Sequence, residues 1–158
     1  DFPTGTMRGR FHPQNGNLYI GGMAAWGTAQ MQLAGGFYRV RMTDKPAHLP
    51  VELNAHTQGM DIVFSDPLDP DSITAIADQF QVRTWALKRS ADYGSKHYDE
   101  RPHDVTSAKL SADGKTLHLA IADMAPVWQM SITYHLKGKT GTPVTGEIQN
   151  TIHALREK

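Results

Sequence analysis

The chain has 158 residues, sixteen basic against sixteen acidic, with 39% hydrophobic residues, 20% charged residues and no cysteine. That length suits one ordinary domain, or one domain plus a fragment of another, in the composition range of a globular protein. A neutral total without blocks of like charge argues against nucleic acid and anionic membrane surfaces as partners. The lack of cysteine excludes disulfides, thiolate metal sites, iron–sulfur clusters and c-type haem attachment within these residues.

The first 45 residues read as short strands. Met7–Pro13 and Asn17–Ile20 flank Asn15-Gly16, a hairpin signal. Gly21-Gly22 closes the second strand, a looser stretch carrying Trp26 follows, and Gly36–Met42 alternates again. Six glycines from position 16 to position 36 oppose a helix there. Asp44–Pro50, with prolines at 46 and 50, is a linker, which sets a boundary near residue 45.

Residues 46–158 read as seven strands: Val51–Ala55, Asp61–Phe64, Phe80–Lys88, Thr106–Leu110, Thr116–Ile121, Gln129–Leu136 and Glu147–His153. Turns fall at Thr57–Gly59, Asp66-Pro67, Asp113-Gly114 and Gly138–Gly141, and Ser72–Asp78 is the one helical turn expected. Strands at roughly ten-residue spacing are what a two-layer antiparallel sandwich requires. The fold expected is all-β. Trp128 opens an alternating strand, and period 2 places it on one face with Met130, Ile132 and Tyr134, which predicts a core position. No apolar run approaches the ~20 residues that span a bilayer. The opening Asp1-Phe2-Pro3 reads as an internal cut from which a leader could have been removed.

Chemistry concentrates between Trp85 and His103. This stretch holds Trp85, Lys88, Arg89, Asp92, Tyr93, Lys96, His97, Tyr98, Asp99, Glu100, Arg101 and His103. A sandwich does not need a loop so long or so rich in rings and charges. Aromatic faces beside carboxylates and amines suit sugars, whose CH groups stack on rings while hydroxyls take directional partners. Trp85, Lys88, Tyr93, Lys96, His97, Tyr98 and Asp99 are therefore the candidate ligand-binding residues, against a packing role for Trp85 and Tyr98. His97, Asp99 and His103 are an alternative Zn or Cu set, although Pro102 intervenes and no His-x-His pair exists. Asp66, Asp69 and Asp71 could chelate Ca, but Asp-Pro pairs make turns without an ion, and the turn reading prevails. No nucleophile elbow or phosphate-cradling loop occurs, so neither a catalytic residue nor a cofactor is expected.

Two resemblances extend this reading. Ile62–Ser72, Leu110–Leu117 and Trp128–Tyr134 with Gly138 resemble bacterial Ig-like domains of secreted and cell-surface proteins, over about residues 47–155. Arg8–Gly22 and Gly35–Arg41 resemble the last strands of a propeller blade in glucose/sorbosone dehydrogenase-like proteins. With Thr84–Glu100 and Asn150–Leu155, the whole chain is similar to the C-terminal region of large planctomycete and verrucomicrobial proteins that join such a propeller to a sandwich and a haem domain. Cys-x-x-Cys-His is absent, so the resemblance assigns no haem or dehydrogenase chemistry to these residues. It implies an Ig-like sandwich at 46–158 behind a blade-like hairpin segment at 1–45, in a secreted or periplasmic protein. The function implied is a non-catalytic accessory module that binds a polysaccharide or a neighbouring domain of its parent. A small Cu- or Zn-dependent oxidoreductase acting on carbohydrate is the alternative.

Overall fold

The structure, a computed structural model, describes residues 2–24 and 32–157. It is all-β, with three antiparallel sheets, and divides into two compact units, Asp1–Lys45 and Pro46–Lys158. Trp26 lies outside the described residues. Among those described, no helix is long and apolar enough to cross a membrane.

In the first unit, β1 (Thr6–Phe11), β2 (Leu18–Met23) and β3 (Gly35–Val40) form a meander in the order β1-β2-β3. Asn15 drives the first turn: its side-chain oxygen accepts the Asn17 amide at 3.0 Å. One face of this sheet is partly covered by the leading residues, where Phe2 lies against Tyr38 and Thr4 hydrogen-bonds the Tyr38 hydroxyl at 2.9 Å.

The second unit is a β-sandwich. Its strands are β4 (Pro50–His56), β5 (Gly59–Phe64), β6 (Phe80–Ala86), β7 (Tyr98–His103), β8 (Val105–Leu110), β9 (Thr116–Ile121), β10 (Val127–Lys137) and β11 (Pro143–Ile152). One sheet has the order β4-β5-β9-β8, the other β11-β10-β6-β7. Successive hairpins therefore alternate between layers, and the chain changes sheet after β5, β7 and β9. Period-2 alternation places Met60, Ile62, Phe64, Leu117, Leu119 and Ile121 inward from the first sheet. From the second, Phe80, Val82, Met130, Ile132, Tyr134, Leu136, Val144 and Ile148 meet them. Phe64 and Tyr134 touch edge to face across the layers, ring centres 5.6 Å apart.

Two sequence expectations change here. Residues 98–103 form a strand, giving eight strands where seven were read. Among the described residues β7 pairs only with β6, and an edge strand of this kind tolerates Pro102, which cannot donate to a ladder. Trp128 is not a core residue, since it is 61% exposed. The register runs Val127 opposite Ile152, then Met130 opposite Asn150, so β10 holds one extra residue between these pairs. That bulge breaks the alternation and turns Trp128 outward, while Met130, Ile132 and Tyr134 stay buried.

The acidic cluster builds turns, in line with the reading from sequence. Asp66 accepts the Ser65 hydroxyl at 2.7 Å and the amides of Ala47 at 2.9 Å and His48 at 3.0 Å. These bonds fasten the approach to β4 and hold His48 at φ 49°. Asp69 caps the 3-10 turn Pro70–Ile73 by accepting the Asp71 amide at 3.1 Å, and a helical turn, Ile76–Gln79, completes the crossing to β6.

The Ser65 hydroxyl first, then the His48 and Ala47 amides, hold the Asp66 carboxyl at about 2. Its ordinary value is 3.8, so the folded state favours the carboxylate. The associated stability is full above the ordinary value and is lost as pH falls toward about 2. In urea unfolding series, Asp66→Asn should lower the midpoint at neutral pH. The gap from wild type should shrink steadily below about pH 4; a gap independent of pH contradicts the assignment.

Gly59 closes the β4–β5 hairpin at φ 149°, where a Cβ would fall 1.9 Å from the Leu119 carbonyl oxygen of β9. Gly59→Ala should cost more than ~2 kcal/mol in chemical unfolding, because backbone rather than a movable side chain blocks the methyl group. A loss below ~0.5 kcal/mol, the level of an ordinary surface change, contradicts this close approach.

Candidate ligand surface at the β6–β7 hairpin

β6 and β7 are joined by residues 87–97, far longer than the 2–5 residues that usually close a hairpin. The loop is organised by its own side chains. The Ser95 hydroxyl accepts the Lys88 amide at 3.0 Å and donates to the Lys96 carbonyl at 2.9 Å, tying the two ends together. The Ser90 hydroxyl accepts the Asp92 amide at 3.2 Å, and Gly94 turns the tip at φ 83°.

Alternation along β6 sends Phe80, Val82 and Thr84 toward the sandwich interior and Arg83 and Trp85 to the outer face. An aromatic on an outer face would normally stay open to water. Here the His97 ring lies flat on the indole, centres 4.2 Å apart and planes 16° from parallel, and Trp85 is only 5% exposed. Glu100 holds this lid. Its carboxylate meets His97 Nδ1 at 3.0 Å and accepts from Arg83 Nη1 at 3.1 Å. Trp85 is thus a covered packing residue, not an open platform for a ligand.

The other candidates separate into two groups. Lys88, Tyr93, Lys96 and Tyr98 border a hollow of about 450 Å³ together with Ser90 and Asp92. The Lys88 ammonium sits 4.3 Å from the centre of the Tyr98 ring, so one ring face is already taken. Tyr93 is fully exposed. Asp99 is not part of that hollow. It occupies the β7 bulge at φ 53° and borders a smaller recess of about 180 Å³ with Arg101 and His103.

His97, Asp99 and His103 do not form a metal site. His97 is engaged with Trp85 and Glu100. His103 points inward, where Nε2 meets the Thr84 hydroxyl at 2.8 Å and Nδ1 meets the Ala122 carbonyl at 3.0 Å. A carbonyl can only accept, so Nδ1 carries the proton and Nε2 is free to accept from Thr84. His103 therefore joins the two layers at the point where β7 passes into β8. Among the described residues, no group of three or more His, Asp or Glu side chains is arranged to hold a metal ion.

One polar cluster was not anticipated. On the outer face of the first sheet, a single Asp61 oxygen meets His56 Nε2 at 3.0 Å and His118 Nδ1 at 2.9 Å. The Asp61–His118 pair depends on β5 lying beside β9, a pairing of strands distant in sequence. Only the outward parity of both positions could have hinted at it.

The chain matches no protein-family model, no curated protein and no solved structure at a significant level.

Replacing Trp85 by Ala should remove ~3 kcal/mol or more of stability, whereas Trp128→Ala should cost under ~1 kcal/mol. Paired chemical denaturation of the two variants checks this. Equal losses would contradict the exchange of roles between the two tryptophans.

Proposed function

We propose that this chain is a non-catalytic binding module of an exported multidomain protein, and that its Ig-like sandwich holds a polysaccharide at the β6–β7 hairpin. The observation that carries this reading is the hollow bordered by the fully exposed Tyr93 and edged by ammonium, hydroxyl and carboxylate groups. A sugar ring offers CH groups to an aromatic face and hydroxyls to polar neighbours, and both kinds of partner occur around this recess. Trp85 and His97 serve as the rigid floor from which the loop rises. Rigidity matters, because a loop already ordered loses less entropy on binding. The exported setting rests on the likeness of the strand and turn pattern to bacterial Ig-like domains.

Affinity electrophoresis through neutral glucans, mannans and xylans, with pull-downs on cellulose and chitin, tests the reading. Tyr93→Ala should weaken retention about ten-fold, the loss of one stacking contact, without changing the melting temperature. Failure of the unmodified chain to bind any glycan, or unchanged retention by the variant, would overturn it.

A further inference from the structure

The three-stranded sheet of the first unit presents an open face with an unusual ladder. Arg10, Tyr19 and Arg39 lie opposite one another across β1, β2 and β3; in the next row stand Arg8, Gly21 and Phe37. Tyr19 and Phe37 stack with ring centres 5.7 Å apart and planes at 20°. Phe37 is 75% exposed, and Phe11, on the same rim, 73%. Together with Arg8, Arg10 and Gly21 these rings line a cleft of about 640 Å³. Gly21 forms its floor, since a Cβ there would meet no atom of the described residues within 4 Å. The Tyr19 hydroxyl is held below the ordinary tyrosine range, chiefly by Asn15, with Arg39, its partner across β2 and β3, and Asn17 adding.

Charge points to the occupant. Residues 1–45 hold five basic and two acidic residues, and the charged residues on the described strands of this sheet, Arg8, Arg10 and Arg39, are all arginines. Water-exposed rings flanked by guanidinium groups suit a ligand with an apolar face and an anionic group at its edge. The arginine fork takes a carboxylate or sulfate in two parallel hydrogen bonds, which an ammonium cannot do. Nucleic acid fits less well. Its affinity grows with the number of phosphates neutralised along a track, and the remaining 113 residues hold fourteen acidic groups against eleven basic ones.

We infer that this sheet face is a second, separate binding site, specific for an anionic polysaccharide whose sugars stack on Tyr19 and Phe37 while carboxylate or sulfate groups bind Arg8 and Arg10. It stands apart from the hairpin reading, because it uses different residues and a different ligand charge.

The test runs the full chain through gels containing polygalacturonate, chondroitin sulfate or neutral dextran, with an oligothymidylate arm in solution. The unmodified chain should be retarded by at least one anionic polymer more strongly than by dextran; the first two arms separate carboxylate from sulfate recognition. Gly21→Val fills the floor with a residue that suits a strand, and Arg8→Gln/Arg10→Gln removes the forks at exposed positions. Each variant should weaken retention at least ten-fold, while Tyr93→Ala should leave it unchanged. Absence of retardation, retention unaltered in both variants, loss in Tyr93→Ala, or tighter binding to the oligonucleotide would each overturn the inference.

Discussion

Contact between the inner faces of two sheets, made by β5 and β9 on one side and β6 and β10 on the other, is the constraint on which the second unit depends. Ile62, Leu68, Leu117 and Ile132 are fully sealed from water, and Phe64, Leu119 and Met130 nearly so. Burying each such side chain contributes ~1.5–3 kcal/mol, so this layer supplies most of the drive that orders the backbone. Because successive hairpins belong to opposite layers, no hairpin can complete its half of the interior alone. The connections must then be held tightly where they change sheet. Asp66 and Asp69 fix the first of them, and His103 spans the second with both ring nitrogens occupied. Polar side chains at these crossings therefore have structural work, and this explains why an inventory of titratable residues overstates the number of chemical sites.

The fold was legible wherever side-chain parity was undisturbed. Met60-Asp-Ile-Val-Phe64 and Leu117-His-Leu-Ala-Ile121 alternate without interruption, and the strands there fall where alternation puts them. Parity failed at bulges. One extra residue near Trp128 reversed the side facing the core, and nothing in the local residue types announces it. β7 was hidden for a different reason. Tyr-Asp-Glu-Arg-Pro-His has the composition of a loop and becomes a strand only because β6 offers it an open edge.

The candidate surface was legible in composition but not in arrangement. Rings and charges between 85 and 103 were conspicuous, yet their grouping depends on which side of β6 each one meets. Trp85 is the clearest instance. As a residue type it suits a sugar platform, but the loop returns His97 onto it, and Glu100 locks that stack to Arg83. A long-range ring contact and an ion pair decide the outcome, and neither leaves a short-range sequence signature. The same reasoning covers Asp61, whose two histidine partners come from different strand pairings.

Charge illustrates how an average can conceal a partner. A neutral total argues against polyanions only when its signs are mixed throughout the chain. Here the basic excess lies before residue 46 and the acidic excess after it, and the early one is carried by arginines interleaved with exposed rings. Coulomb attraction between surface groups fades over about 10 Å at ordinary ionic strength, so a cleft senses its nearest side chains far more than the sum over the chain. Arg8, Arg10 and Arg39 therefore set the field above Tyr19 and Phe37, and the cancelling carboxylates count for little there unless they come within that distance.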